Sequence, residues 1–183
     1  MRWRIEWLAL SVVLLVLASC SRKASEDVSP ASEGAPDEVF SEFVTQESDS
    51  GKVKWRLTAP EASKFNEKKL ITLEKPVIRF YDDKGELETT LTSEKGKFFE
   101  DSQDMLAFGN VVVKSVSGDV LETDSLFWIN AQGKIISNSF VKLTKGNDVI
   151  TGVGLECDYN LSAVNIKKNV SAKIIDEKGE VDG

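Results

Sequence analysis

The sequence predicts an all-β fold, a stack of long antiparallel strands in one domain, on three observations. Two apolar columns repeat in step: Val77, Val111, Val141 and Val170 are separated by 34, 30 and 29 residues, and Leu57, Leu91, Leu121 and Ile150 by the same intervals. A period in this range belongs to stacked or repetitive architectures. Turn-forming clusters divide the chain every 14 to 18 residues, so each leg between turns is a long, extended strand. From Val39 onward, apolar residues nowhere recur for long at helical spacing.

Taken in order, residues 1–19 have the layout of an export signal, with Arg2 and Arg4 ahead of an apolar run from Trp7 to Ala18. The run is shorter than the ~20 residues a membrane-spanning helix needs. Leu17-Ala18-Ser19-Cys20 resembles a lipobox, which makes Cys20 the expected lipidation site; an uncleaved signal anchor is the alternative. Both place the rest outside the cytoplasm of a bacterium. Residues 20–38 read as a tether, since Ser21 to Glu38 holds four Ser, three Ala and two Pro with nothing periodic. Such a segment reaches ~60 Å fully extended and roughly 23 Å as a coil.

Residues 39–175 form the expected domain, and 176–183 a polar tail. Val53, Trp55, Leu57 and Ala59 alternate with polar neighbours as a half-buried strand does. Ala59 to Phe65 has room for one helical turn, which Pro60 suits as a start. The stretch Leu106 to Trp128 is the clearest unit: Val111-Val112-Val113, a Ser117-Gly118 turn, then Leu121 and Thr123 alternating with Val120, Glu122 and Asp124. Gly96, Gly109 and Gly154 are candidate bends. Two residues beyond the Leu/Ile column lie Ala59, Ser93, Thr123 and Gly152, all small and on the same strand face as the large residue before them. That pairing gives each unit a laterally narrow inner surface.

Composition excludes several functions. The whole chain carries a net charge of −7; without residues 1–19 it keeps 21 basic and 29 acidic residues, a net −8, which opposes binding to a phosphate backbone, so no nucleic-acid partner is expected. With no His anywhere, the usual general base, the commonest metal ligand and every Ser-His or Cys-His pair are missing. No phosphate loop, CxxC pair or metal-spaced carboxylate cluster appears. Asp82-Asp83 and Asp101 to Asp104 sit at turns, where solvated carboxylates are the default. No catalytic or metal site and no cofactor are expected. Cys157, without a partner once Cys20 carries lipid, reads as a small buried hydrophobe.

Several short motifs follow one another over about Val39 to Ile174: Trp55-Arg56-Leu57-Thr58-Ala59, Pro76-Val77 with Phe80-Tyr81-Asp82, Gly109-Asn110-Val111, Thr123 through Trp128, Lys134-Ile135-Ile136-Ser137 and Gly152 through Glu156. Their order and spacing resemble the LptC family, the membrane-tethered periplasmic component of lipopolysaccharide export. The resemblance implies an open β-jellyroll of the OstA/LptA-like kind, whose interior takes the acyl chains of lipopolysaccharide. It implies receipt of lipid from an inner-membrane ABC transporter at the N-terminal edge and delivery to an LptA-like bridge protein at the C-terminal edge. The better-known members use an uncleaved transmembrane helix, whereas this chain suggests a lipid anchor at Cys20. The inner membrane is the expected location, although Ser21 is not the Asp that retains lipoproteins there in enteric bacteria.

By face parity, the lipid-binding interior is expected at Trp55, Leu57, Val111, Val113, Leu126, Trp128, Val141, Leu143, Ile150 and Leu155. The same residues serve equally as the filled core of an anchored β-solenoid interaction lipoprotein, which is the competing reading. The last strand, Val164 to Ile175, has no later element to cover it. Asn169, Val170, Ser171, Ala172, Lys173 and Ile174 are therefore the expected partner edge, with Lys167, Lys168 and Lys173 available to block unwanted pairing.

Overall fold

The structure, a computed structural model, describes residues 35–175 and 181–182. The signal, Cys20 and most of the tether lie outside the described residues, as do 176–180 and Gly183. The strands are β1 (Glu38–Asp49), β2 (Lys52–Phe65), β3 (Leu70–Glu74), β4 (Val77–Tyr81), β5 (Leu87–Thr92), β6 (Lys95–Phe99), β7 (Asp104–Ser115), β8 (Val120–Ile129), β9 (Lys134–Lys145), β10 (Asp148–Asp158), β11 (Val164–Ile175) and β12 (Val181–Asp182). Asn130–Gln132 makes one 3-10 turn. All pairings are antiparallel, in one continuous sheet with β1 and β11 near its ends.

The long legs bend in the middle. The first part of β2, Trp55–Thr58, pairs with β4, while Glu61–Phe65 pairs with β3. Likewise β7 gives Asp104–Phe108 to β6 and Val112–Ser115 to β5. So β3 and β4 are two halves of one leg, interrupted at Lys75-Pro76, and β5 and β6 are halves of the next, interrupted at Ser93-Glu94. Further along, the ladder shifts between Phe108 and Val111, between Thr123 and Phe127, and between Val153 and Leu155. These irregularities line up into a corner that folds the sheet into two facing halves. Left-handed residues make the bend: Lys75 (φ 46), Gly109 (φ 75), Asn110 (φ 46), Gly154 (φ 77) and Asn169 (φ 52). The corner is itself bonded, Lys75 N–H donating to Glu94 O at 2.7 Å and Glu94 N–H to Gly109 O at 2.9 Å.

The small-residue column marks this corner. Ala59, Ser93, Thr123 and Gly152 are all buried there, where the facing halves converge. At Gly152 a Cβ would lie 2.4 Å from Ile166 Cγ2 and 2.9 Å from the Lys168 carbonyl oxygen, so only glycine fits. The Leu column points inward at Leu57, Leu91 and Leu121, with Ile150 half-buried. The Val column does not hold its face. Val111 and Val141 are buried, Val77 is half-buried because the Lys75-Pro76 break resets its leg, and Val170 is 57% exposed on β11.

Three expectations are corrected. Ala59 to Phe65 is strand, not a helical turn, because it pairs with β1 on one side and β3 on the other. Pro60 is tolerated since its missing N–H falls at the corner, between Ala59↔Phe43 and Glu61↔Ser41. Gly96 does not bend its leg; it pairs with Leu73, and a Cβ there would sit 3.0 Å from Pro76 Cγ. The last long strand is not wholly uncovered, since β12 pairs with Ile174 and Ile175.

Candidate functional site

Alternation along each leg sends one set of side chains between the two halves of the sheet. Of the ten residues expected to line the interior, Trp55, Leu57, Val111, Val113, Leu126, Trp128, Val141, Leu143 and Leu155 are between 0% and 6% exposed. Ile150 is half-buried at the C-terminal end of the stack. Sequence parity missed Ile71, Leu73, Ile78, Phe80, Phe98, Met105 and Ile135, which complete the same interior. For Ile71, Leu73, Ile78, Phe80 and Phe98 the breaks at Lys75-Pro76 and Ser93-Glu94 put the half-legs out of step with the columns; Met105 and Ile135 share the parity of Val111 and Val141 on their own strands and lie beyond the stretches the columns mark.

The interior is closed. Ile78, Leu91, Met105, Ala107, Leu126, Trp128 and Ile135 surround a cavity of about 10 Å³, no more than a single water would occupy. Opposite the corner, the free tips of the two halves meet along a seam of aromatic rings. Trp55 packs edge-on against Phe98 at 5.9 Å, and its Nε1–H donates to Glu47 Oε2 at 2.7 Å and to Asn130 Oδ1 at 3.3 Å. Phe80 lies 4.9 Å from Trp128 and stacks on Tyr159 at 5.4 Å.

Tyr159 belongs to the β10–β11 loop, which crosses the seam as a strap. Asn160 Nδ2 donates to Glu88 Oε1 at 3.1 Å, and Lys145 Nζ to the Leu161 carbonyl at 2.9 Å. Leu161 is fully buried although its φ of 59° is one that a branched side chain rarely takes. Burial, with the Glu88 carboxylate nearby, holds the Tyr159 phenol above its ordinary pKa, so the ring stacks as a neutral group.

Beyond the strap the interior opens. A groove of about 360 Å³ is lined by Leu143, Lys145, Ile150, Ser162, Val164, Ile166 and Val170. It lies between β9, β10 and β11 and continues the apolar interior to the C-terminal end of the stack. A second hollow, about 430 Å³, lies at the other end beside the β1–β2 corner, with Phe43, Val44, Ala59 and Val77 among its walls. Val164 and Ile166 were legible as an alternation within the last strand; the hollow beside β1 carried no sequence signal.

Both ends of the sheet present strand edges. Within the described residues, Ser171 to Lys173 pair only with β10, Asn169 and Val170 fall at the register shift, and Ile174 meets β12. Among the same residues β1 pairs only with β2, and Val39 and Val44 are about 60% exposed.

The chemistry of the site is that of an apolar surface. Among the described residues no three His, Cys, Asp or Glu side chains gather as a metal would require. Cys157 is buried, and desolvation pushes its thiol up to about 12, so it is protonated at neutral pH and a poor nucleophile. The exposed Lys54–Asp83 pair, at 2.6 Å, raises the lysine and lowers the carboxyl by hydrogen bonding at the rim.

A family model described as lipopolysaccharide-assembly, LptC-related, matches residues 7–175. No curated protein sequence matches. Among solved structures, this chain is similar to LptH of Pseudomonas aeruginosa, the LptA homologous periplasmic component of the conserved lipopolysaccharide transport device. That likeness covers 66% of this chain and 94% of LptH, with a TM-score of 0.52 and 13% identity, and is a likeness of fold. With its bent antiparallel stack and a family match over nearly its whole length, the chain belongs to the lipopolysaccharide-assembly, LptC-related family.

Proposed function

We propose that this protein is a non-enzymatic lipid carrier of lipopolysaccharide transport, tethered to the inner membrane by lipid at Cys20 or by an N-terminal helix. It accepts lipopolysaccharide from an ABC transporter at the β1 edge and passes it to an LptA-like bridge at the β11 edge. The observation that carries this reading is the apolar interior that Leu143 and Ile150 carry into the open groove at Val164 and Ile166, with a strand edge at either end of the sheet among the described residues. An exposed edge extends by strand addition, so a partner of the same fold would prolong the groove.

Loading behind the strap requires the two halves to part along the seam, because the cavity lined there by Leu126 and Trp128 has room for no more than a single water. Exposing the rings of Phe80, Trp128 and Tyr159 costs about 5–9 kcal/mol at the usual value for a buried aromatic, whereas an acyl chain recovers ~0.8 kcal/mol per methylene. A chain of roughly six to eleven methylenes therefore balances the opening. The phosphorylated sugars stay in water outside the seam.

The packed interior also favours the competing reading, a filled core with no cargo. Asp at Trp128 or Leu143 does not separate the two, since both side chains are closed in and a buried charge unfolds the domain on either account. Ile150→Asp separates them. Half-exposed in the groove, it leaves the protein folded; a carrier then loses lipid occupancy, measured by co-purified lipopolysaccharide. Unchanged occupancy in a folded variant refutes the carrier reading.

A further inference from the structure

Among the described residues, two polar atoms inside the apolar interior have no protein partner: Thr89 Oγ1 and Trp128 Nε1. Thr89 is fully buried and Trp128 is 6% exposed. The other buried polar side chains are satisfied. Ser93 Oγ donates to the Lys95 carbonyl at 2.9 Å, Thr123 Oγ1 to the Phe140 carbonyl at 2.6 Å, Ser115 Oγ meets Ser117 Oγ at 2.5 Å, and Ser137 Oγ accepts from Ser139 N–H at 3.1 Å. The other interior tryptophan, Trp55, bonds two oxygens. An orphaned buried donor costs stability that packing must offset, so two of them in a fold that satisfies the rest need a reason.

They share one stretch of the interior. Thr89 lies opposite Phe80 in the β4–β5 ladder, and the Phe80 ring is 4.9 Å from that of Trp128 on the facing half. Leu91, two residues from Thr89 on the same face, borders the small cavity that Trp128 also lines. Both residues therefore belong to facing walls beside the Tyr159 strap, Trp128 through its ring contact with Tyr159 at 6.1 Å and Thr89 next to Glu88, which accepts from Asn160. A plain hydrocarbon chain satisfies neither. A carbonyl oxygen at the head of a chain accepts from the indole N–H, and the threonine hydroxyl can donate to the same oxygen or to its neighbour.

We propose that Thr89 and Trp128 form a reading point for the ester or amide carbonyl at the head of an acyl chain, so that the interior selects acylated lipids over alkyl chains. The inference rests on the carrier reading above and adds a specificity to it. It also gives the packed interior a register: the carbonyl stops at the seam, the hydrocarbon runs inward and the headgroup stays outside.

The test uses the full chain loaded with diphenylhexatriene, displaced by a soluble short-chain diacyl glycerophosphate or by its dialkyl-ether counterpart. The diester is expected to displace the probe about tenfold more tightly than the diether, the effect of one buried hydrogen bond regained. Thr89→Val keeps the packing while removing the hydroxyl, and is expected to hold or raise the thermal midpoint; Trp128→Phe removes the indole N–H together with part of a buried ring and is expected to lower the midpoint. Each is expected to bring the ratio towards one. A ratio near one in the unaltered protein, with both lipids binding, overturns the reading point and leaves the carrier standing. A tenfold ratio that survives both substitutions overturns the assignment to these residues. Displacement by neither lipid overturns the carrier reading and this inference with it.

Discussion

Single residues decide how closely the two halves approach. Gly152 sits where a methyl group would overlap Ile166 and the Lys168 carbonyl, so Gly152→Ala is expected to cost about 1–3 kcal/mol as β10 and β11 are forced apart. Chemical denaturation checks this. Cys157 sets a different limit. Its folded pKa of about 12 stands above the ordinary 9.0, so the unfolded chain loses the proton first as pH rises. Its contribution is fully present below about pH 9 and falls by about 1.4 kcal/mol per unit from there to about pH 12. Cys157→Ala is expected to flatten that part of the stability–pH curve, and native Cys157 to resist iodoacetamide at pH 8 until the protein unfolds. The inward parity of Trp55, Leu57, Val111 and Val113 was legible in the sequence because a period of two is rigid within an unbroken strand. Val77 fell out of step because Lys75-Pro76 interrupts its leg. The small column at Ala59, Ser93, Thr123 and Gly152 was visible as a narrow inner surface, but its place at a corner depends on which legs pair, and that is set by contacts distant in sequence.

At the scale of elements, the seam divides what sequence can reveal from what it cannot. Hairpin turns are local, and the expected turns at Asp82-Asp83 and Ser117-Gly118 both separate strands, as do the turn-forming pairs Ser50-Gly51 and Gly146-Asn147. The strap is not local. Asn160 reads as a turn residue, yet its partner Glu88 lies 72 positions earlier, and nothing near Tyr159 announces Phe80 beneath it. Pro60 misleads for a related reason, since a residue that suits a helix start also suits the one place in β2 where the ladder is already broken. If the halves part to load lipid, tying them together must stop loading. A double variant, Glu88→Cys with Asn160→Cys, joined by a short bis-maleimide, is expected to bind less than a tenth of the lipid bound by the unlinked variant. A long flexible linker at the same pair restores binding. Equal binding with either linker would mean that lipid reaches the interior through the open C-terminal groove alone.

For the whole molecule, the strand edges at β1 and at Ser171 to Lys173 of β11, each paired on one side among the described residues, matter as much as the interior. Deleting Asn169 to Gly183 removes the outer ladder of β11 and β12 and is expected to abolish capture by an LptA-like bridge in a pull-down. Co-purified lipopolysaccharide should fall only in part, through loss of the Val170 wall of the groove, with thermal unfolding confirming that the rest of the stack survives. Retained capture would move the partner surface elsewhere, with the β1 edge the next place to test. Sequence made the stacked β architecture legible because the repeat is long and its two columns agree; it left open whether the stack is hollow, because a filled core and a lipid-lined groove demand the same apolar residues. The structure sharpens that question by showing an interior packed shut but held along its seam by a few rings and hydrogen bonds. The most direct measurement places a photo-crosslinking amino acid at Trp128, inside the seam, and at Phe127, on the opposite face of the same strand, in cells exporting lipopolysaccharide. A lipopolysaccharide adduct at Trp128 and none at Phe127 is the result expected of a carrier whose cargo passes between the two halves. A folded protein in a working exporter that gives no adduct at Trp128 would contradict it.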